Sequence, residues 1–295
     1  MELRRPLLVA AGAALALLAA VPQTLSAASA APTTIQAASV VPFAAETTGA
    51  AQTARRIARP GRTVTLPTTH TYKGQRRHVV VHVPDGLLAP APLVVALHAH
   101  SQEPKAIRAY SRLEQLADEQ GFVVAFPEGA AGSWNAGTCC VPASRDQLDD
   151  VAFLDEVLRI VRTQALIDTN RVSLTGGSNG AMMALRYACE RPDIVASVAV
   201  VSGPLIARCP LGQPVPVLVL HGARDTVVPL RGGRNAFLGV TFPPVDRSLE
   251  PFRKAKGEVR LQVVPRAGHD WMTREEHGVD ATLAAWLWMR DHPRT

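Results

Sequence analysis

The sequence predicts an α/β fold in which a mostly parallel central sheet carries helices on both faces. Three observations point to it. Short apolar runs, among them Leu93 to Leu97, Phe122 to Phe126 and Val217 to Leu220, alternate with stretches of helical periodicity. These runs are continuously apolar, as strands covered on both faces must be. A further run, Arg171 to Thr175, passes through Gly176-Gly177-Ser178-Asn179-Gly180 into a segment rich in Ala, Met and Leu, so the pattern G-x-S-x-G sits between a strand and a helix.

That turn organises the chain. A serine on so sharp a strand-to-helix corner takes a strained backbone conformation, and small neighbours let strand, turn and helix approach closely. The geometry lifts the Ser178 hydroxyl into the open at a helix N-terminus, where partial positive charge favours a developing oxyanion.

In chain order, Met1 to Arg5 is short and basic, Leu7 to Val21 is almost wholly apolar, and Ala28-Ser29-Ala30 fits a cleavage site. Residues 1–30 therefore read as a secretory signal peptide, too short in its apolar run for a membrane anchor. Residues 31–63, dominated by Ala, Thr, Pro and Ser, read as a flexible linker. The chain carries a net charge of +6, and these two segments hold most of it, leaving about +2 for the rest. With no zinc-finger, RNP or P-loop pattern either, there is no case for nucleic-acid binding.

Residues 64–295 suit one large α/β domain. His78 to Val83 alternates and ends at Pro84-Asp85-Gly86, a strand and turn near the sheet edge. Ile107 to Gln120 has helical spacing and stops at Gly121, and Asp149 or Asp150 reads as the N-cap of a helix running to about Gln164. Val195 to Val201 and Val259 to Val264 complete the strands, and Thr282 to Met289 forms a closing amphipathic helix.

In such a sheet the chemistry belongs at the carboxyl ends of the strands. After Val217 to Leu220 comes His221-Gly222-Ala223-Arg224-Asp225, and after Val259 to Val264 comes Gly268-His269-Asp270-Trp271. The order serine, acid, histidine suits this architecture: Ser178 as nucleophile, His269 as the base that takes its proton, Asp225 as the carboxylate that steadies the imidazolium. Asp270, Asp149 and Asp150 are weaker candidates for the acid, the first adjoining the base and the others starting a helix. His221 ends the strand that delivers the acid and reads as structural. The oxyanion hole needs two backbone N–H donors, assigned to Asn179 and to His100, with Ala99 and Ser101 as runners-up for the second. His98 and His100 form an H-x-H pair with no third ligand pattern, so neither a metal nor a cofactor is expected.

Cys139, Cys140, Cys189 and Cys209 make an even number in an exported chain and predict two disulfides. Neighbouring cysteines are strained as a pair, so Cys139 and Cys140 are expected to bond separately to Cys189 and Cys209. Trp134 and Trp271 lie on loops that should flank the site, where each either walls an acyl pocket or packs a loop base.

Several stretches together resemble the polyhydroxybutyrate-depolymerase, feruloyl-esterase and acetylxylan-esterase-like hydrolases. They are Phe126-Pro127-Glu128-Gly129, the loop Ser133-Trp134-Asn135-Ala136-Gly137-Thr138-Cys139-Cys140, Asp149 to Phe153, Gly177 to Met183, His221 to Pro229, and Gly268 to Trp271. The resemblance runs from about Gln75 to Met289. It implies an α/β-hydrolase fold, a Ser178–Asp225–His269 triad and carboxylic-ester hydrolysis without a cofactor. Two positions depart from the family. Ala99 stands where a glycine is usual, which would strain it if that glycine holds positive φ, and Met272 replaces a proline.

The expectation is a secreted serine esterase acting on feruloyl or acetyl esters or on short hydroxyalkanoate oligoesters, a monomer with no nucleic-acid partner and no stable membrane anchor. A serine peptidase of the same fold and a non-catalytic surface-binding protein on a hydrolase scaffold are the competing classes.

Overall fold

The structure, a computed structural model, describes residues 61–87, 90–210 and 212–295. The expected signal peptide, and the linker apart from its last three residues, lie outside the described residues. The described elements in chain order are β1 (Arg62–Tyr72), β2 (Gln75–Val83), β3 (Ala91–Leu97), α1 (Pro104–Ser111), α2 (Leu113–Gln120), β4 (Val123–Pro127), α3 (Asp150–Val161), β5 (Ile167–Gly177) and α4 (Asn179–Glu190). They continue with β6 (Ser197–Val201), β7 (Val217–Gly222), β8 (Gly233–Asn235), β9 (Val240–Phe242), α5 (Val245–Ser248), α6 (Glu250–Lys254), β10 (Val259–Val264), α7 (Arg274–His277) and α8 (Ala281–Asp291).

Eight strands form one sheet in the order β1-β2-β4-β3-β5-β6-β7-β10. β1 and β2 are antiparallel, β2 meets β4 antiparallel, and from β4 to β10 every neighbour is parallel. β8 and β9 make a separate hairpin. This is the mostly parallel sheet the apolar runs imply. Alternation along each strand sends neighbouring side chains to opposite faces. Leu93, Val95 and Leu97 thus join a core with residues of α3 and α4, while Val94 and Ala96 join a second core with residues of α1, α2 and α8.

The chain order reverses between β3 and β5. From β3 it moves one way to β4, and from β5 the other way through β6, β7 and β10. A crevice opens at such a switch point, beyond the carboxyl ends of the strands. There β3 and β5 lie side by side, with Leu97 in register with Gly176.

Three local expectations needed correction. The helix expected over Ile107 to Gln120 is two helices, because Arg112 sits between them in the left-handed region at φ 54°. β1 begins at Arg62, inside the expected linker. Its alternation of Val64 and Leu66 with threonines is a half-buried edge pattern, weaker than the apolar runs of the interior.

The disulfides also differ. Cys139 bonds to Cys140, with a Cα–Cα distance of 3.1 Å, and Cys189 bonds to Cys209 at 5.1 Å. The length of α4 explains why. The Cys139–Cys140 pair and Ser178 line one cavity, at the N-terminal end of α4, whereas Cys189 lies ten residues further along, about 15 Å away at helical rise. The same loop runs on past Arg186, which donates from Nη1 to the Asn135 carbonyl, and packs Gly137 against the backbone of Ile206 and Ala207, but its two cysteines stay at the cavity.

Candidate active site

Ser178 joins β5 to α4 at φ 53° and ψ −118°, a conformation that only an over-determined backbone sustains. Its N–H donates to the Val201 carbonyl at 2.9 Å, and its own carbonyl accepts from Met182 N at 3.0 Å. At two positions the packing around the turn leaves no room for a side chain. A Cβ on Gly176 would stand 2.7 Å from the Leu97 carbonyl oxygen, and one on Gly180 would collide with the carbonyls of Leu97 and His98. At these two glycines, one on each side of Ser178, backbone meets backbone.

β7 and β10, paired in parallel, deliver the acid and the imidazole. Beyond them the two loops are tied by Ala223 N–H to Val264 O and Arg224 N–H to Ala267 O, each 3.0 Å. His269 Nδ1–H donates to Asp225 Oδ2 at 2.7 Å. The other carboxylate oxygen, Oδ1, accepts from Val227 N at 2.9 Å and Val228 N at 2.8 Å. Asp225 is buried and His269 partly open. His269 and Ser178 line the same cavity of about 480 Å³. Among the described residues no hydrogen bond joins the two. In a substrate-free site this bond is often long and tightens on binding.

The rival acids have other employment. Asp149 caps α3 through Ala152 N at 2.9 Å. Asp150 is fully buried, with Oδ1 2.7 Å from Arg77 Nη1 and Oδ2 accepting from Asn135 N at 2.6 Å, which pins the Trp134 loop from below. Asp270 is exposed and accepts from Gly268 N at 3.0 Å. The rival imidazoles are spoken for as well. His98 donates from Nδ1 to Ala99 O at 2.8 Å and accepts at Nε2 from Gly129 N at 2.9 Å. Burial pushes its pKa down to about 4, against a weaker upward pull from the Ala99 carbonyl. His221, also fully buried, donates from Nε2 to Val228 O at 2.9 Å and has Asp225 Oδ2 at 3.3 Å from the same nitrogen. Burial lowers its pKa as well. Both rings are neutral braces. No group of His, Cys, Asp and Glu among the described residues could hold a metal ion.

Asn179 opens α4, so its N–H is among those with no partner inside the helix. Its side chain fixes the neighbouring loop: Oδ1 accepts from Trp134 N at 2.8 Å and Nδ2 donates to Trp134 O at 3.1 Å. In the loop after β3, Ala99 N–H donates to Gln102 Oε1 at 3.2 Å and Ser101 N–H to Gly132 O at 2.8 Å. His100 N–H alone of the three has no such acceptor among the described residues. Ala99 is not a positive-φ residue. The left-handed conformation falls on Ser101, at φ 59°, so alanine at 99 carries no strain.

The two tryptophans part company. Trp271 lines the cavity, 5.4 Å from Tyr110 between ring centroids. Trp134 is fully buried, donates from Nε1 to His98 O at 2.9 Å, and packs the base of the loop instead of walling the cavity. Sequence reasoning missed Gln102, Tyr110, Ser202, Val227 and Leu238, which line the cavity alongside the Cys139–Cys140 disulfide. Val227 lies within the His221 to Pro229 stretch but carries no assigned role there, and the other four come from loops and a helix that carry no motif. No helix among the described residues is long and apolar enough to cross a membrane.

This architecture is the α/β-hydrolase fold. Solved structures agree with it: an S-formylglutathione hydrolase from Agrobacterium tumefaciens superposes with a TM-score of 0.56 at 15% identity, covering 79% of this chain and 93% of that one. A CE1 ferulic acid esterase from Anaeromyces mucronatus, solved with ferulic acid, gives 0.54 at 17% identity, covering 81% and 93%. The family model Esterase, described as "Putative esterase", matches residues 64–273, and the chain belongs to that family. It is 31% identical over 168 residues to a bifunctional acetylxylan esterase/xylanase of Neocallimastix patriciarum, covering 55% of this chain and 24% of that protein. It is 28% identical over 199 residues to feruloyl esterase B of Piromyces equi, covering 61% and 36%. The matches therefore span about a quarter to a third of those relatives' length.

Proposed function

We propose that this protein is an exported carboxylic-ester hydrolase working through an acyl-enzyme on Ser178. His269 takes the Ser178 proton as the hydroxyl attacks the ester carbonyl, and the imidazolium then returns it to the departing alcohol. Water, activated by the same imidazole, hydrolyses the acyl-serine. Asp225 holds His269 by Nδ1, which keeps Nε2 turned to the nucleophile and stabilises the cation between the two transfers. The N–H groups of Asn179 and His100 receive the oxyanion.

One observation carries the reading: a buried carboxylate bonded at 2.7 Å to an imidazole that shares a cavity with a serine on a strained strand-to-helix turn. The Tyr110–Trp271 wall supports an aryl acyl group of the feruloyl type, and the cavity volume suits one small acyl unit with the rest of the alcohol outside. Export is supported by the basic-then-apolar start of the chain and by two disulfides.

The test is turnover of p-nitrophenyl acetate and methyl ferulate by the purified protein and by Ser178→Ala. The variant should lose nearly all turnover and keep its circular dichroism. Fluorophosphonate labelling at any residue other than Ser178 would overturn the assignment.

A further inference from the structure

We infer that Gln102 is a catalytic residue whose side-chain amide donates a hydrogen bond to the carbonyl oxygen of the bound ester, beside the two backbone donors. The inference rests on reading Ser178 as the nucleophile.

Gln102 is half-buried in the loop after β3 and lines the same cavity as Ser178, His269 and His100. Two donors reach one end of its amide: Ala99 N–H at 3.2 Å and Tyr110 O–H at 3.4 Å, both to Oε1. A backbone N–H can only donate, so the atom facing Ala99 must be the oxygen, and the orientation of the amide is fixed by chemistry. Burial raises the Tyr110 phenol far above its ordinary value, so that hydroxyl keeps its proton and stays a donor. With both donors on the oxygen, the NH2 group is left free of the loop's own hydrogen bonds. Among the described residues Nε2 has no acceptor.

An amide anchored by its oxygen and unpartnered at its nitrogen is a preorganised donor. It also sits beside the oxyanion loop, since the residue holding its oxygen, Ala99, immediately precedes His100. By taking up the Ala99 N–H, Gln102 leaves His100 as the open backbone donor of that loop. By presenting Nε2, it adds a neutral N–H where negative charge develops on the ester.

Two substitutions test this together. Gln102→Glu preserves an acceptor for Ala99 and Tyr110 but removes the NH2 group. Gln102→Met removes both functions and adds no charge. Both variants should lower kcat about 10- to 100-fold, on p-nitrophenyl acetate and methyl ferulate alike, with KM changed less than about threefold; the thermal midpoint should hold in Gln102→Glu and fall by a few degrees in Gln102→Met, which leaves the Ala99 N–H without its acceptor. Wild-type kcat in Gln102→Glu with a loss in Gln102→Met would show that the residue merely props the loop, and would overturn the inference. Wild-type kcat in Gln102→Met would overturn it too, by assigning any loss in the other variant to charge. A loss confined to methyl ferulate would move the contact to the acyl group and away from the reacting centre, again overturning it. Fluorophosphonate labelling of the unaltered protein separates the two levels. Absence of label on Ser178 defeats the nucleophile reading itself, whereas a labelled Ser178 with kcat unmoved by either variant defeats only the role of Gln102.

Discussion

Asp225 and His269 lie 44 residues apart on loops that leave adjacent parallel strands, and their side chains meet at 2.7 Å with the carboxylate wholly buried. Asp225→Asn keeps the size of the side chain but offers an N–H or a neutral oxygen where a charge stood. His269 is then free to take the wrong tautomer. We expect kcat on p-nitrophenyl acetate to fall on the order of 10⁴-fold while the fold, read by circular dichroism, survives. A fall of less than tenfold would remove Asp225 from the mechanism.

His221 braces that carboxylate from its position 3.3 Å from Oδ2 and through the backbone beside it. Its bond to Val228 O fixes the turn whose N–H groups clamp Asp225 Oδ1. His221→Leu should lower kcat by about 10- to 100-fold through misplacement of Asp225. His221→Gln, with a donor at a similar reach, should recover most of it. Equal activity in the two variants would refute the brace.

The two disulfides should behave differently under substitution. Cys189–Cys209 closes a span of 20 residues, and breaking it as Cys189→Ser with Cys209→Ser should cost about 3 kcal/mol in a urea titration. Cys139–Cys140 closes no loop, so the corresponding pair of serines should leave global stability within about 1 kcal/mol by the same loop-length argument. Because that pair lines the cavity, the change should appear in KM for methyl ferulate instead.

Acid should destabilise the protein through His98. Its folded pKa, about 4, lies below the ordinary 6.5, so the unfolded chain binds more protons between those values. The stability it supplies is complete above pH 6.5 and is lost as pH falls toward 4. The upper limit is about 3 kcal/mol. Urea midpoints at pH 7 and pH 5 for the wild type and His98→Gln would check this: the variant should have the shallower dependence.

The buried strands and the turn at Ser178 were legible in the sequence. A run of apolar residues a strand long suits a sheet covered on both faces, and a glycine-flanked serine between strand and helix suits one kind of sharp corner. The meeting of Asp225 and His269 was legible from their positions just past two such strands. β1 was not, since an edge strand exposes half its side chains and resembles a polar linker. Nor was the break at Arg112, where a residue of ordinary helix propensity takes a left-handed conformation that no local signal marks. Gln102 and Tyr110 carry no motif, and only three-dimensional proximity joins them to Ser178. The cysteine pairing depends on which thiols the fold brings together, with Cys189 near the far end of α4 from the cavity that Cys139 and Cys140 line, a distance that spacing along the chain does not report.

The two bonds between the Asn179 amide and the Trp134 backbone have a practical consequence for redesign. In the proposed mechanism the same residue gives its N–H to the oxyanion while its side chain latches the segment bearing Cys139 and Cys140, so swapping it would disturb rate and substrate preference together. Efforts to retune selectivity are better directed at another part of the lining. There Leu238, between β8 and β9, and Val227, in the loop before them, line the cavity, and neither is bonded to the Asn179 side chain.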